Sequence, residues 1–177
     1  MRIGLVRHFA VEKKFLKGRV RQSQVLQWFK EYDQAPVASS KVVSDVKWQK
    51  CYSSELPRAV ATAQAIFNGS IEYTGLLNEP TLSPIFQRDV SLPFLLWAMV
   101  FRGAILFNHT SQQQGKKVIE QRIHQLLTEV LQKEETEVLI VSHAFVLEVL
   151  SQRLLTLGFK GRKLSRPQNG VLYLYER

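Results

Sequence analysis

Glu137-Val138-Leu139-Ile140-Val141-Ser142-His143-Ala144 holds four consecutive aliphatic residues, three of them β-branched, ending on a small polar residue and a histidine. A run this short and this apolar is predicted to be a strand buried on both faces of a parallel sheet. Apolar residues at helical spacing lie on either side of it. Lys116 to Lys133 places Val118, Ile119, Ile123, Leu126, Leu127, Val130 and Leu131 on one side of a helix, and Ala144 to Leu157 forms another that Gly158 stops.

The same alternation extends along the rest of the chain. Met1 to Arg7 is a short apolar run and is predicted as a buried strand. Residues 9 to 22 are polar and basic and are predicted as loop. Ser23 then caps a helix carrying Val25, Leu26, Trp28, Phe29 and Tyr32, which Ala35-Pro36 ends. Val46 to Ser53 is predicted as the second strand, and Ser54 as the cap of a helix from Glu55 to Phe67. Pro57 sits harmlessly in that helix's first turn, and Asn68-Gly69 closes it. Ile71 to Thr74 is a short strand, residues 75 to 92 a loop rich in proline, and a further helix starts near Pro93. Gly170 precedes a last alternating strand, Val171 to Tyr175. Strands that alternate with helices predict an α/β fold: a three-layer α/β/α sandwich with a mostly parallel central sheet and helices on both faces. The 177 residues suit one domain, 1–177.

Lysine and arginine number 24 against 15 acidic residues, a net charge of +9. An anionic small substrate or a nucleic acid would each be drawn to such a chain. The basic residues are spread out, densest at Lys13 to Arg21 and Lys160 to Arg166, without the aromatic interleaving of single-strand binders. No nucleic-acid partner is expected. Cys51 is the single cysteine, so no intramolecular disulfide forms, and it is expected to be a core thiol. The chain opens on a strand without a leader pattern, so a cytoplasmic location is the expectation. Leu92 to Phe107 is the most apolar segment, but Arg102 interrupts it and it falls short of the roughly 20 apolar residues of a membrane span. A buried or capping helix is expected there. It lacks the clear polar face of an interfacial helix.

Ligands of open α/β sheets bind outside the carboxyl ends of the strands. That edge would hold Arg7-His8, Ser53-Ser54 and Ser142-His143, so two of the four histidines lie at predicted strand ends. A histidine there can simply cap a strand. It can also be a nucleophile toward phosphorus when its second ring nitrogen is oriented. Backbone N–H groups that open a helix after His143, beginning with Ala144, suit an anion. Arg58, in the first turn of its helix, makes sense as a cation beside a bound anion. Arg7, His8, Arg58 and His143 would together clamp a trigonal phosphoryl group. Two histidines could also hold zinc, but neither has further ligands at metal-like spacing, so no metal is expected.

These residues carry a resemblance. Leu5-Val6-Arg7-His8 is similar to the "LVRHG" signature of the histidine phosphatase (phosphoglycerate mutase-like) superfamily. Ser53-Ser54-Glu55-Leu56-Pro57-Arg58-Ala59-Val60-Ala61-Thr62-Ala63 resembles its "SSDLxRAxxTA" block, Leu77-Asn78-Glu79 its "LxE" element and Val141-Ser142-His143 its "VSHG". The likeness covers most of the chain outside roughly 84 to 115. It implies that His8 becomes phosphohistidine, that Arg7, Arg58 and His143 bind the phosphoryl group, and that Glu79 protonates the leaving oxygen and then activates water. Glu55 and Asp89 are the other acid candidates. It implies a metal- and cofactor-independent phosphate monoester hydrolase acting on a phosphorylated small molecule or a phosphoprotein. A mutase of the superfamily and a non-catalytic phosphate sensor are the alternatives. The chain departs from the pattern at Phe9 and at Ala144-Phe145, which replace glycines, and in the loop from Ala10 to Gln22. Phe9 and Phe145 would narrow the pocket or make it more apolar. The segment 84–115 falls where the superfamily has a variable cap; Leu92–Phe107 would cover the site, complete the core or form a subunit contact. The sequence leaves the oligomeric state open.

Overall fold

The computed structural model describes all residues but 39–41 and 43. Five strands form the central sheet: β1 (Arg2–Arg7), β3 (Lys50–Ser53), β4 (Ile71–Tyr73), β6 (Glu137–Ser142) and β7 (Leu172–Glu176), in the order β4-β3-β6-β1-β7. Every pairing is parallel except that of β7 with β1. The register sets Arg7 opposite Ser142 and Ser53 opposite Val141, so β1, β3 and β6 end level with one another. That alignment brings their carboxyl-terminal residues to one edge.

Helices cover both faces, as the alternation predicts. On one face α4 (Lys116–Leu131) and α5 (Ala144–Thr156) bury Ile119, Ile123, Leu126, Leu127, Val146 and Leu150 against Ile3, Leu5, Tyr52 and Ile140. Fully burying each such side chain stabilises the fold by about 1.5–3 kcal/mol. On the other face α2 (Pro57–Ile66) lays Ala59 and Ala63 on Val6, Cys51, Leu139 and Val141. Alanine at these two positions lets the helix approach the strands closely. Cys51 is fully buried among them, as expected of a core thiol, and burial pushes its pKa up to about 12. Gly4 is required by packing: a Cβ there would lie 2.6 Å from the Trp48 ring.

A third cluster stands apart from both faces. It joins α1 (Gln22–Gln34), α3 (Phe94–Leu106) and a two-stranded ribbon of β2 (Arg19–Arg21) with β5 (Ser91–Pro93). Val20, Val25, Trp28, Phe94, Trp97 and Phe101 form its core. Trp97 donates its indole N–H to the Val20 carbonyl at 2.9 Å, satisfying the one polar atom it buries.

Several boundaries differ from expectation. The second strand starts at Lys50 rather than Val46: its ladder with β6 begins at Lys50 opposite Val138, and Gln49 just before it already bonds the Glu137 carbonyl, where β6 opens. Ser23 does not cap α1; its backbone N–H and hydroxyl bind Asp89, and the Gln24 side chain accepts the Arg21 N–H instead. Ser54 does not cap α2, which starts at Pro57 behind Leu56. Asn68-Gly69 does not close it either, since Phe67 is already extended. Gly158 does stop α5, at φ 86°. Strands β2 and β5 lie in segments expected to be loop; three residues are too few to show a period of two.

Candidate active site

His8 leaves β1 through a backbone bond from its N–H to the Ser142 carbonyl at 3.0 Å, and its ring is 2% exposed. Nδ1 lies 2.7 Å from the Phe9 carbonyl oxygen. A carbonyl only accepts, so Nδ1 carries the proton and the Nε2 lone pair is available. Arg58 Nε donates to that Nε2 at 3.3 Å. Burial first, then Arg58 and Arg7, hold the imidazole pKa down to about 3, against the weaker opposing effect of the Phe9 carbonyl. His8 is thus a neutral, oriented base. Phe9 fixes its own turn by donating its N–H to Thr62 Oγ1 at 2.8 Å, while Thr62 donates to the Arg58 carbonyl at 2.7 Å. Asn169 adds a bond from Nδ2 to the His8 carbonyl at 2.7 Å.

His143 follows β6 and caps α5, with its ring centroid 5.2 Å from that of His8. Its tautomer follows from a chain of bonds. The Glu55 N–H reaches Asn78 Oδ1 at 2.9 Å, which fixes the orientation of that amide. Ser54 must therefore donate its hydroxyl to Asn78 Oδ1, at 2.7 Å. The Ser54 oxygen then accepts from His143 Nε2 at 2.8 Å. His143 is protonated on Nε2, opposite to His8. Its Nδ1 is buried without a hydrogen-bond partner, 3.7 Å from Glu79 Oε2.

Arg58 is buried although it opens a helix. Its Nη1 meets Asp33 Oδ1 at 2.5 Å, and its guanidinium lies 5.4 Å from the centroid of the Tyr32 ring. Arg7 spends Nη1 on the Pro167 carbonyl at 3.0 Å, while its buried Nε has no partner. Arg7 Nε and His143 Nδ1 are thus buried at the site without a hydrogen-bond partner. Glu79 is only partly exposed. Burial raises its carboxyl pKa above the usual range, against Arg58 and Arg7. Arg122, from α4, holds the segment just before it through the Leu76 carbonyl at 2.9 Å and the Asn78 carbonyl.

No protein-family model matches the chain, and no curated protein matches it in sequence. Solved structures do. An alpha-ribazole phosphatase from Shigella flexneri superposes with a TM-score of 0.59 at 20% identity, over 98% of this chain and 89% of that one. A mycobacterial glucosyl-3-phosphoglycerate phosphatase complexed with VO3 gives 0.56 at 14% identity, over 98% and 90%. A mutant phosphoserine phosphatase from Entamoeba histolytica, in complex with phosphoserine, gives 0.51 at 18%, over 88% and 80%. The chain has the histidine phosphatase fold.

Within that fold, Arg7, His8, Arg58, His143 and Glu79 converge, and Ala144 opens α5 beside them. The other acids do not join them. Asp89 is tied to Ser23 at the start of α1, and Glu55 is exposed and accepts from Asn78 Nδ2. Phe145 packs with the core under α4 and α5, with the Arg102 guanidinium 5.3 Å from its ring centroid, and Phe9 is buried next to His8. Sequence reasoning missed Asp33 and Arg122. Both lie on helices far along the chain from the residues they touch, and nothing in their local pattern marks them. The orienting role of Asn78 was missed too, although the residue lies inside the quoted Leu77-Asn78-Glu79. Among the described residues, no group of three histidine, cysteine or acidic side chains is placed to hold a metal. No described helix is long and apolar enough to cross a membrane.

Proposed function

We propose that the protein hydrolyses phosphate monoesters through a phosphohistidine on His8. The observation that carries this reading is the pair of opposite histidine tautomers beside Arg58. His8 offers a neutral Nε2 lone pair to which Arg58 donates, and the His143 ring stands 5.2 Å away with its Nδ1, like the Nε of Arg7, buried without a partner. A monoester would place its phosphoryl oxygens against the guanidinium groups, where they compensate charge as it develops.

Nε2 of His8 attacks phosphorus, the P–O bond to the alcohol breaks, and Glu79 gives its proton to the departing oxygen. Glu79, now ionised, takes a proton from water as that water attacks phosphorus. The P–N bond breaks, inorganic phosphate leaves, and Nε2 recovers its lone pair. A carboxyl with a raised pKa suits both directions of this proton transfer.

On this reading the substrate is a phosphorylated small molecule or phosphoprotein, the setting is cytoplasmic, no metal is required, and 84–115 is a cap. The separate cluster that α3 makes with α1 supports the last of these. The test is hydrolysis of p-nitrophenyl phosphate with rapid acid or alkaline quench. Turnover with an acid-labile, alkali-stable phosphoenzyme is expected, with both lost in His8→Ala. Equal turnover by His8→Ala would overturn the mechanism.

A further inference from the structure

α3 is apolar on every side, yet only half of it is covered. Phe94, Trp97, Phe101 and Ile105 face inward and are buried. On the opposite side Leu95 is 78% and Met99 69% exposed, with Leu96 and Leu106 also exposed and Phe107 86% exposed just past the helix. Positions 95, 99 and 106 follow the i, i+4, i+11 spacing of one stripe. Arg102 is its one charged member. A helix apolar all round belongs in a core or against an apolar partner. An exposed patch of this kind marks an interaction surface.

The surroundings of the stripe select the partner. Strand β2 runs beside the start of α3 through its pairing with β5: Val20 is buried with Trp97 while Arg19 and Arg21 on either side of it stay exposed, and the Phe15 ring, 69% exposed, lies 5.8 Å from that of Phe94, the first residue of α3. Lys14, Lys17, Arg19 and Arg21 of the same stretch are exposed, and Arg19 is in register with Pro93. Residues 9–22 and 84–115 together hold seven basic and two acidic side chains, more than half of the net charge of the chain. Asp89, bound by Ser23, keeps its charge, and Lys13 and Arg102 pair with Glu31 and Glu148, so the exposed Lys14, Lys17, Arg19 and Arg21 form the basic side of this surface. Two copies facing each other through this surface would oppose like charge. An anionic bilayer offers both a negative surface and an apolar layer beneath it.

We infer that α3, with Phe15 and the basic loop before β2, docks the protein flat onto an anionic membrane surface. At 13 residues α3 is about 20 Å long and lies along the interface rather than through it. Leu95, Met99, Leu106 and Phe107 enter the acyl boundary, Arg102 keeps its head at the level of the headgroups, and the lysines and arginines meet lipid phosphates. This goes beyond hydrolysis at His8 and does not depend on it.

The experiment is sedimentation with vesicles of phosphatidylcholine alone and of phosphatidylcholine mixed with phosphatidylglycerol. Binding to the mixed vesicles is expected, weaker at high salt, with little binding to the neutral ones. Leu95→Asp with Met99→Asp should cut it by at least about tenfold. Lys14→Glu with Lys17→Glu should remove the salt-sensitive part. Melting temperature and far-ultraviolet circular dichroism verify that the variants fold; both exchange exposed positions and should leave these unchanged. If the apolar pair fails to fold, Phe107→Ser, beyond the helix, carries the same test. Equal binding to neutral vesicles, or none to either, overturns the inference. So does a dimer in analytical ultracentrifugation that Leu95→Asp with Met99→Asp separates into monomers.

Discussion

Asp33 Oδ1 lies 2.5 Å from Arg58 Nη1, while the Nε of the same guanidinium reaches His8 Nε2. A planar group held at two of its nitrogens has little freedom to turn. Asp33 thus sets where Arg58 points, although it is partly exposed and touches neither histidine by hydrogen bond. We expect Asp33→Ala to lower kcat/KM for a phosphate monoester by about tenfold, the loss of one charge-assisted hydrogen bond that is partly open to water. Asp33→Asn, which keeps an acceptor, should recover part of it. Steady-state kinetics with unchanged kcat and KM in Asp33→Ala would show that Arg58 needs no such support.

The opposite tautomers of His8 and His143 give a spectroscopic prediction. With Nε2–H committed to Ser54, His143 can donate to a phosphoryl oxygen only after gaining a proton on Nδ1. Burial first, then Arg58, His8 and Arg7, keep its pKa well below the usual histidine value in the free protein. A bound oxyanion supplies the negative charge that reverses this. Nitrogen-15 NMR of labelled histidines should show His8 protonated on Nδ1 and His143 on Nε2 at neutral pH. Vanadate should add a proton to His143 Nδ1. A His143 ring that stays neutral with vanadate bound would refute the donor role.

Much of this arrangement is written in short stretches of sequence. Val138 to Val141 and the N-terminal strand are legible because buried parallel strands need unbroken apolar runs, and their histidines follow at once. Arg58 is legible because a cation in a first helical turn asks for a nearby anion. Asp33 and Arg122 are not, because each acts on a residue dozens of positions away through a contact that only the packing of α1 or α4 creates. The ribbon of β2 and β5 is hidden for another reason. Its strands are three residues long, and the pairing of Arg19 with Pro93 spans the chain between them. Ser54 looked like a helix cap; its hydroxyl instead links His143 to Asn78.

The depressed His8 pKa ties the site to acid stability. The ordinary value is 6.5, and the folded ring is held to about 3. Below pH 6.5 the unfolded chain takes up a proton on His8 that the folded protein refuses until near 3. Stability from this group is therefore complete above about 6.5 and is lost as pH falls toward 3, by on the order of a few kcal/mol. Urea unfolding of wild type and His8→Gln between pH 7 and pH 4 measures it. The stability of the wild type should fall more steeply with acid than that of the variant. Parallel slopes would mean that the buried ring titrates normally.

Glu79 gives a prediction that separates proton donation from phosphate binding. Its carboxyl is raised by burial and stands 3.7 Å from the unpartnered Nδ1 of His143. A nitrophenolate leaves phosphorus without much help, whereas an alkoxide must be protonated as it departs. Glu79→Gln should therefore slow formation of the phosphoenzyme from an alkyl phosphate by about a hundredfold or more, and from p-nitrophenyl phosphate far less. Breakdown of the phosphoenzyme needs the same carboxylate as base for either substrate. In Glu79→Gln, rapid-quench experiments with p-nitrophenyl phosphate should show a burst of nitrophenolate followed by slow turnover, with phosphohistidine accumulating. Equal slowing of both substrates with no burst would move the acid and base roles away from Glu79 and leave it a residue that shapes the pocket.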